Sequence, residues 1–209
     1  MRPNVLINLI NKSFKIFMGN SFQLIQSKYN ASSFVTEGKS SALNIFPNDT
    51  EKVKVIEWFG NFWLFLKITF KTETKKIDRK IDTQINTLIS LSVFQGEDFD
   101  NEKTQLFRAE WDDYNDLKEK HAQPHWHITS SQAIENIFGD DAFFSIQPEI
   151  SQKLEKKKEK IFDVRKIHFA MNADWQKING TYIHKMDEEQ EIVRWLQGLI
   201  TYLRTELES

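Results

Sequence analysis

The chain has 209 residues, enough for one good-sized core and short for two, and its 40% hydrophobic and 28% charged content is that of an ordinary globular domain. The absence of cysteine excludes disulfides, zinc–thiolate sites and thiol nucleophiles, and a net charge of −2 gives no global footprint for nucleic acid, so a polyanion would have to meet a local patch. Seventeen Phe, six Trp and four Tyr call for a substantial core or interface, because aromatic side chains bury large areas.

The first residues, Met1-Arg2-Pro3-Asn4 and a run broken by Asn8, Asn11 and Lys12, lack the continuous apolar region of a signal peptide. The most apolar window, 58–70, is too short to span a bilayer and contains Asn61 and Lys67. A cytoplasmic protein with no membrane partner is therefore expected.

Val5, Leu6, Leu9, Phe14, Ile16 and Phe17, followed by Phe22, Leu24 and Ile25, recur at helical spacings and predict one or two N-terminal helices. Turn-rich stretches follow at 30–33 and 37–41. Between 51 and 72 two periods compete. Ile56, Phe59, Trp63, Leu66 and Phe70 fit a helical face capped by Asp49 or Thr50, while Leu64, Leu66, Ile68 and Phe70 alternate as a strand. A helix running into a strand is the expectation, with the charged 72–80 stretch a solvated connection.

Beyond residue 80 the alternation is plain. Ile85, Thr87, Ile89, Leu91 and Val93 share one face of a strand, with Asn86, Ser90 and Ser92 opposite. An acidic loop (95–104) without the glycine and distal glutamate of a calcium loop leads to a second strand (105–113). A polar loop leads to a third (124–129), and such short connections favour antiparallel neighbours. A short helix (130–138), a charged helix opened by Pro148, and an apolar stripe of Ile161, Val164, His168, Met171 and Trp175 come next. A final helix from Asp187 to Glu208 buries Ile192, Trp195, Leu196, Leu199 and Leu203. The fold class is α+β: a small antiparallel sheet with N-terminal and C-terminal helices packed on one face. It forms a single domain over 1–209, with a helical and aromatic part (1–80), a sheet core (81–138) and C-terminal helices (148–209).

Chemistry concentrates on two strands. In "LFRAEWDD" Phe107, Ala109 and Trp111 point one way and Arg108, Glu110 and Asp112 the other; in "PHWHIT" Trp126 and Ile128 oppose His125 and His127. If the strands pair with their aromatic faces buried, cross-strand Cβ separations of about 5 Å bring carboxylate and imidazole together. Two roles fit. His125 and His127 with Glu110 or Asp112 can ligate a divalent metal such as zinc, manganese or iron. Alternatively, one histidine acts as general base and the other as general acid, with Arg108 stabilising an anionic transition state, as phosphodiester cleavage requires. His168 and His184 are secondary candidates that could join either arrangement; His121 lies in a loop. The competing reading is a polar, wet sheet face with charges paired among themselves.

The two-histidine phosphoesterases need His-x-Thr/Ser twice, and only His127-Ile128-Thr129 fits; the histidine-triad hydrolases need a histidine where Thr129 stands. Residues 105–138 resemble small prokaryotic toxin-type proteins, in which an Arg-x-Asp/Glu strand precedes a Pro-His-x-His strand. That resemblance implies an RNA-cleaving enzyme of toxin–antitoxin or defence type, with Arg108, Glu110, His125 and His127 as the corresponding residues and RNA or another nucleic acid as partner. A non-enzymatic module is the alternative, with segment 56–70 and the final helix as interface to a protein partner or a second copy, and structural histidines.

Overall fold

Pro3 opens α1 (Pro3–Met18), where a missing N–H costs nothing and the fixed φ already suits a helix. Leu6, Ile7, Ile10 and Phe14 form its buried stripe, each contributing about 2 kcal/mol by leaving water. The structure, a computed structural model, describes residues 1–18, 21–46, 49–77, 80–100, 103–113, 123–128 and 186–208. His121, His168, His184, the expected helix at 130–138 and the helices expected between 148 and 175 lie outside the described residues.

A single N-terminal helix forms. Phe22 does not continue it but folds back, its ring centroid 4.9 Å from that of Phe14. Leu24 then enters β1 (Leu24–Gln26), and the Asn11 carboxamide acts as a surrogate strand partner. Its Nδ2–H donates to the Leu24 carbonyl (3.1 Å), and its Oδ1 accepts from the Leu24 N–H (2.6 Å). The turn-rich stretches carry β2 (Ser33–Thr36) and the start of β3 (Ser40–Phe46).

The expectation for 51–72 is corrected. There is no helix: β4 (Asp49–Phe59) and β5 (Phe62–Ile77) form a hairpin about Gly60, whose φ of 52° suits glycine. Gly60-Asn61 between apolar runs is itself a hairpin signal, and cross-strand pairing outcompeted the coincidental helical spacing. The charged connection at 72–80 is corrected too. Strand β5 continues to Ile77 and pairs along its whole length with β6 (Lys80–Gln95), from Phe62↔Gln95 to Ile77↔Lys80. Backbone hydrogen bonding extends the hairpin well beyond the point where the apolar pattern ends.

Strand β7 (Thr104–Asp112) follows β6, and β8 (His125–Ile128) pairs with β7, all antiparallel. The order is β1-β2-β5-β6-β7-β8, with β4 joining β5 and β3 joining β4. Among the described residues the sheet thus has eight strands, larger than the sequence suggested but antiparallel as expected. Helix α2 (Glu189–Glu208) buries Ile192, Val193, Leu196, Ile200, Leu203 and Leu207. Both helices pack in one core with Leu64, Leu66, Ile68, Ile89, Leu91, Val93 and Phe107. The α+β class with helices at both ends on one face holds. Their first turns meet where the Glu189 carboxylate accepts the Arg2 backbone N–H at 2.9 Å. No helix among the described residues is long and apolar enough to cross a membrane.

The other face of the sheet is not open over its whole extent. The β3–β4 hairpin folds across it, and Ala42, Val53 and Val55 pack on Trp63, Phe65 and Phe94 in a second core. The acidic loop closes on a residue of its own. The buried Lys103 ammonium donates to the carbonyls of Glu97 (2.8 Å), Asp100 (3.0 Å) and Asp98 (3.4 Å), and lies 4.1 Å from the Trp63 ring centre. A side-chain cation stands where loop carbonyls converge.

Candidate metal centre on strands β7 and β8

Register decides the site. Strands β7 and β8 pair with Arg108 opposite His127 and Glu110 opposite His125, which leaves Ala109 against Trp126 on the helix side. Transverse rows therefore run across the hairpin face of the sheet: Phe65, Ser92, Arg108, His127 and, one step on, Lys67, Ser90, Glu110, His125. Trp126 packs against the helix-side core, its ring centre 5.8 Å from that of Phe107. That contact turns both imidazoles to the opposite face.

Three donor atoms converge there. His127 Nε2 lies 2.9 Å from Glu110 Oε2 and 2.9 Å from His125 Nε2, and His125 Nε2 lies 3.5 Å from the same Oε2. Glu110, His125 and His127 are all part-buried, so the cluster opens to solvent on one side. The second carboxylate oxygen is taken by Arg108, with Nε 2.8 Å from Oε1. The Nε–H is not aligned for a hydrogen bond, so that contact is Coulombic. Arg108 is only 2% exposed, donates through NH1 to the Ile45 carbonyl and sits with its guanidinium carbon 4.4 Å from the Phe46 ring centre. Strand β3 thus holds Arg108, Arg108 holds one oxygen of Glu110, and the other oxygen faces the histidines.

Electrostatics follow from this layering. Burial alone would raise the Glu110 carboxyl, but the contact with His125 and the positive surroundings of Arg108 and His127 outweigh it and lower it to about 2. Glu110 is ionised throughout the ordinary pH range. Burial also pushes the His127 imidazole below its usual 6.5; Glu110 opposes that shift, while Arg108 and His125 add to it. A neutral imidazole is the form that ligates a metal.

Asp112 is linked to His125 through Gln123. Its Oδ2 accepts from Nε2 of Gln123 at 2.9 Å, and Gln123 Oε1 lies 3.2 Å from His125 Nδ1. Gln123 is a site residue that the sequence reading missed. Pro124 drew the strand start to itself, while Gln123 lies just before β8 and joins the site through its carboxamide.

No family model matches this chain, and no curated protein or solved structure matches it either.

Two chemistries compete for it. A general acid–base pair acting on a phosphodiester needs its two imidazoles on opposite sides of the reacting group, each within about 3 Å of a different oxygen. Here the two Nε2 atoms face each other at hydrogen-bond distance, which leaves no room for a phosphorus centre between them. Metal ligation asks for convergence. Zinc bonds of about 2.0–2.1 Å at tetrahedral angles set donor atoms about 3.3 Å apart. Observed separations of 2.9, 2.9 and 3.5 Å need adjustments of only a few tenths of an ångström. Beside Glu110 runs an open pocket of about 170 Å³, bordered by Phe46, Lys67, Thr69, Leu88, Ser90 and Asp112.

Proposed function

We propose that Glu110, His125 and His127 bind a divalent cation of the zinc, manganese or iron class, and that the chain uses it to hydrolyse a phosphodiester, with RNA or another nucleic acid as the substrate. The observation that carries this reading is the convergence of two imidazole Nε2 atoms and one carboxylate oxygen on a single point. Two histidines and one carboxylate leave coordination positions for water and substrate. A bound cation would activate a water and draw a phosphoryl oxygen, and it would offset the negative charge of Glu110 and Asp112 near an anionic substrate. Arg108 holds the carboxylate in place, and Lys67, at the border of the pocket and paired with Glu51 at 3.0 Å, supplies positive charge on its far side. The nucleic-acid substrate and a cytoplasmic setting rest on the sequence resemblance and composition.

The interface required by a non-enzymatic module is largely occupied within the chain. Ile56, Trp63, Leu64, Leu66, Ile68 and Phe70, together with the apolar stripe of α2, are buried in the two cores. The test is metal content and cleavage measured together. Purified chain should carry about one divalent ion that a chelator removes. It should cleave single-stranded RNA or an activated phosphodiester only when metal-loaded, and His125→Ala/His127→Ala should lose both properties with an unchanged circular dichroism spectrum. Undiminished cleavage by that double variant would refute the proposal.

A further inference from the structure

The Gln123 carboxamide fixes where the protons sit in the cluster, an inference that rests on the metal reading above. A backbone N–H can only donate, so the atom of Gln123 that lies 3.3 Å from the Asp112 nitrogen is its oxygen. The amide nitrogen correspondingly donates to the Asp112 carboxylate at 2.9 Å. With the amide oriented in this way, the same oxygen faces His125 Nδ1 at 3.2 Å, and Nδ1 must carry the hydrogen. A neutral His125 ring then has its lone pair on Nε2, the atom turned toward Glu110 and His127. His127 Nε2 stands between two acceptors, Glu110 Oε2 and His125 Nε2, each at 2.9 Å, so the hydrogen of that triangle belongs to His127.

We infer that Gln123 is a positioning residue that presets His125 as the standing metal ligand through Nε2, and that His127 is the ligand that exchanges tautomers when the cation enters. Gln123 is well placed for this: it is 3% exposed and braced through both ends of its amide by Asp112 of β7, the strand that also carries Glu110. On metal entry the Nε2 hydrogen of His127 is lost to solvent, the cation takes the freed lone pair, and solvent returns one proton to Nδ1. Proton count and charge on the ring are unchanged. His127 is 36% exposed, so solvent has access to it. Outer partners of metal-bound histidines act in this way, fixing the ring's tautomer and orientation.

The experiment is nitrogen–proton correlation spectroscopy of the histidine rings in the full chain, without metal and with zinc, alongside zinc titrations. In the metal-free chain His125 should show its hydrogen on Nδ1 and His127 on Nε2; with zinc, His125 keeps its tautomer and His127 moves its hydrogen to Nδ1. Gln123→Met removes the acceptor at similar length and should give a tautomer mixture at His125 with zinc binding weakened by about 10–100-fold. A circular dichroism spectrum and urea midpoint of Gln123→Met close to the parent's separate an effect on the proton from loss of packing. A wild-type His125 with its hydrogen on Nε2, or a Gln123→Met chain with unchanged tautomer and affinity, would overturn the inference. Predicted tautomers without zinc binding would remove the metal reading while supporting the hold of Gln123 on His125.

Discussion

Replacing Glu110 with Gln keeps the shape of the side chain and removes the one carboxylate that joins Arg108 to the two histidines. A carboxyl held at about 2 rather than 4.5 corresponds to about 3 kcal/mol in favour of the ionised, folded arrangement. Glu110 is 26% exposed, and solvent screening reduces the expected stabilisation to about 2 kcal/mol. The sign sets the pH window. A carboxyl whose folded value is depressed stabilises above its unfolded value, near 4.5, and that contribution fades as pH falls toward about 2. Glu110→Gln should therefore cost about 2 kcal/mol near pH 7, and the gap to the parent should narrow steadily below about pH 4.5. Urea unfolding followed by tryptophan fluorescence, in metal-free buffer, reads this directly, since Trp63 and Trp111 are buried. A cost that is absent at pH 7, or that stays constant down to pH 3, would refute the electrostatic account of the cluster.

Lys103→Met should destabilise by about 2–3 kcal/mol, because three loop carbonyls lose the ammonium they share; a thermal melt equal to the parent's would show that water replaces it freely. Gly60→Val forces a β-branched residue to a φ of 52° and should cost about 1–2 kcal/mol in a denaturant titration, with the helix-side core otherwise unaltered. His127 should titrate below 6.5 in metal-free protein, as burial dictates, so its contribution to stability is present above pH 6.5 and lost as pH falls through the lower folded value. A ring-proton NMR midpoint above 6.5 would mean that the charge of Glu110 dominates instead.

What could be read from the sequence was whatever depended on neighbours two to four residues away. The alternation through Ile89, Leu91 and Val93 and through Phe107, Ala109 and Trp111 located β6 and β7, and the stripe of Ile192, Leu196 and Leu203 located α2. The same alternation put Glu110, His125 and His127 on one side. Segment 51–72 misled because its apolar residues satisfy two periods at once, and only the turn at Gly60-Asn61 distinguishes them. The run of β5 to Ile77 was illegible because its partner strand, not its own side chains, extends it. The burial of Arg108 was equally hidden. The residues that cover it, Ile45 and Phe46, come from a hairpin more than sixty positions earlier. Buried beneath them, Arg108 braces Glu110 from below. Gln123 escaped notice because an amide draws attention only when its two ends can be seen to meet different partners.

The pairing of Ala109 with Trp126 has a bearing on how this surface can change. Side chains on a strand alternate with a period of two, so a slip of one residue between β7 and β8 would turn both imidazoles toward the helices and bring Trp126 out on the far side. The indole is thus the lock that keeps two histidines facing a carboxylate on the other side of the sheet. A substitution at Trp126 that looks like a modest core defect would also act on the opposite face of the sheet, where Glu110, His125 and His127 converge.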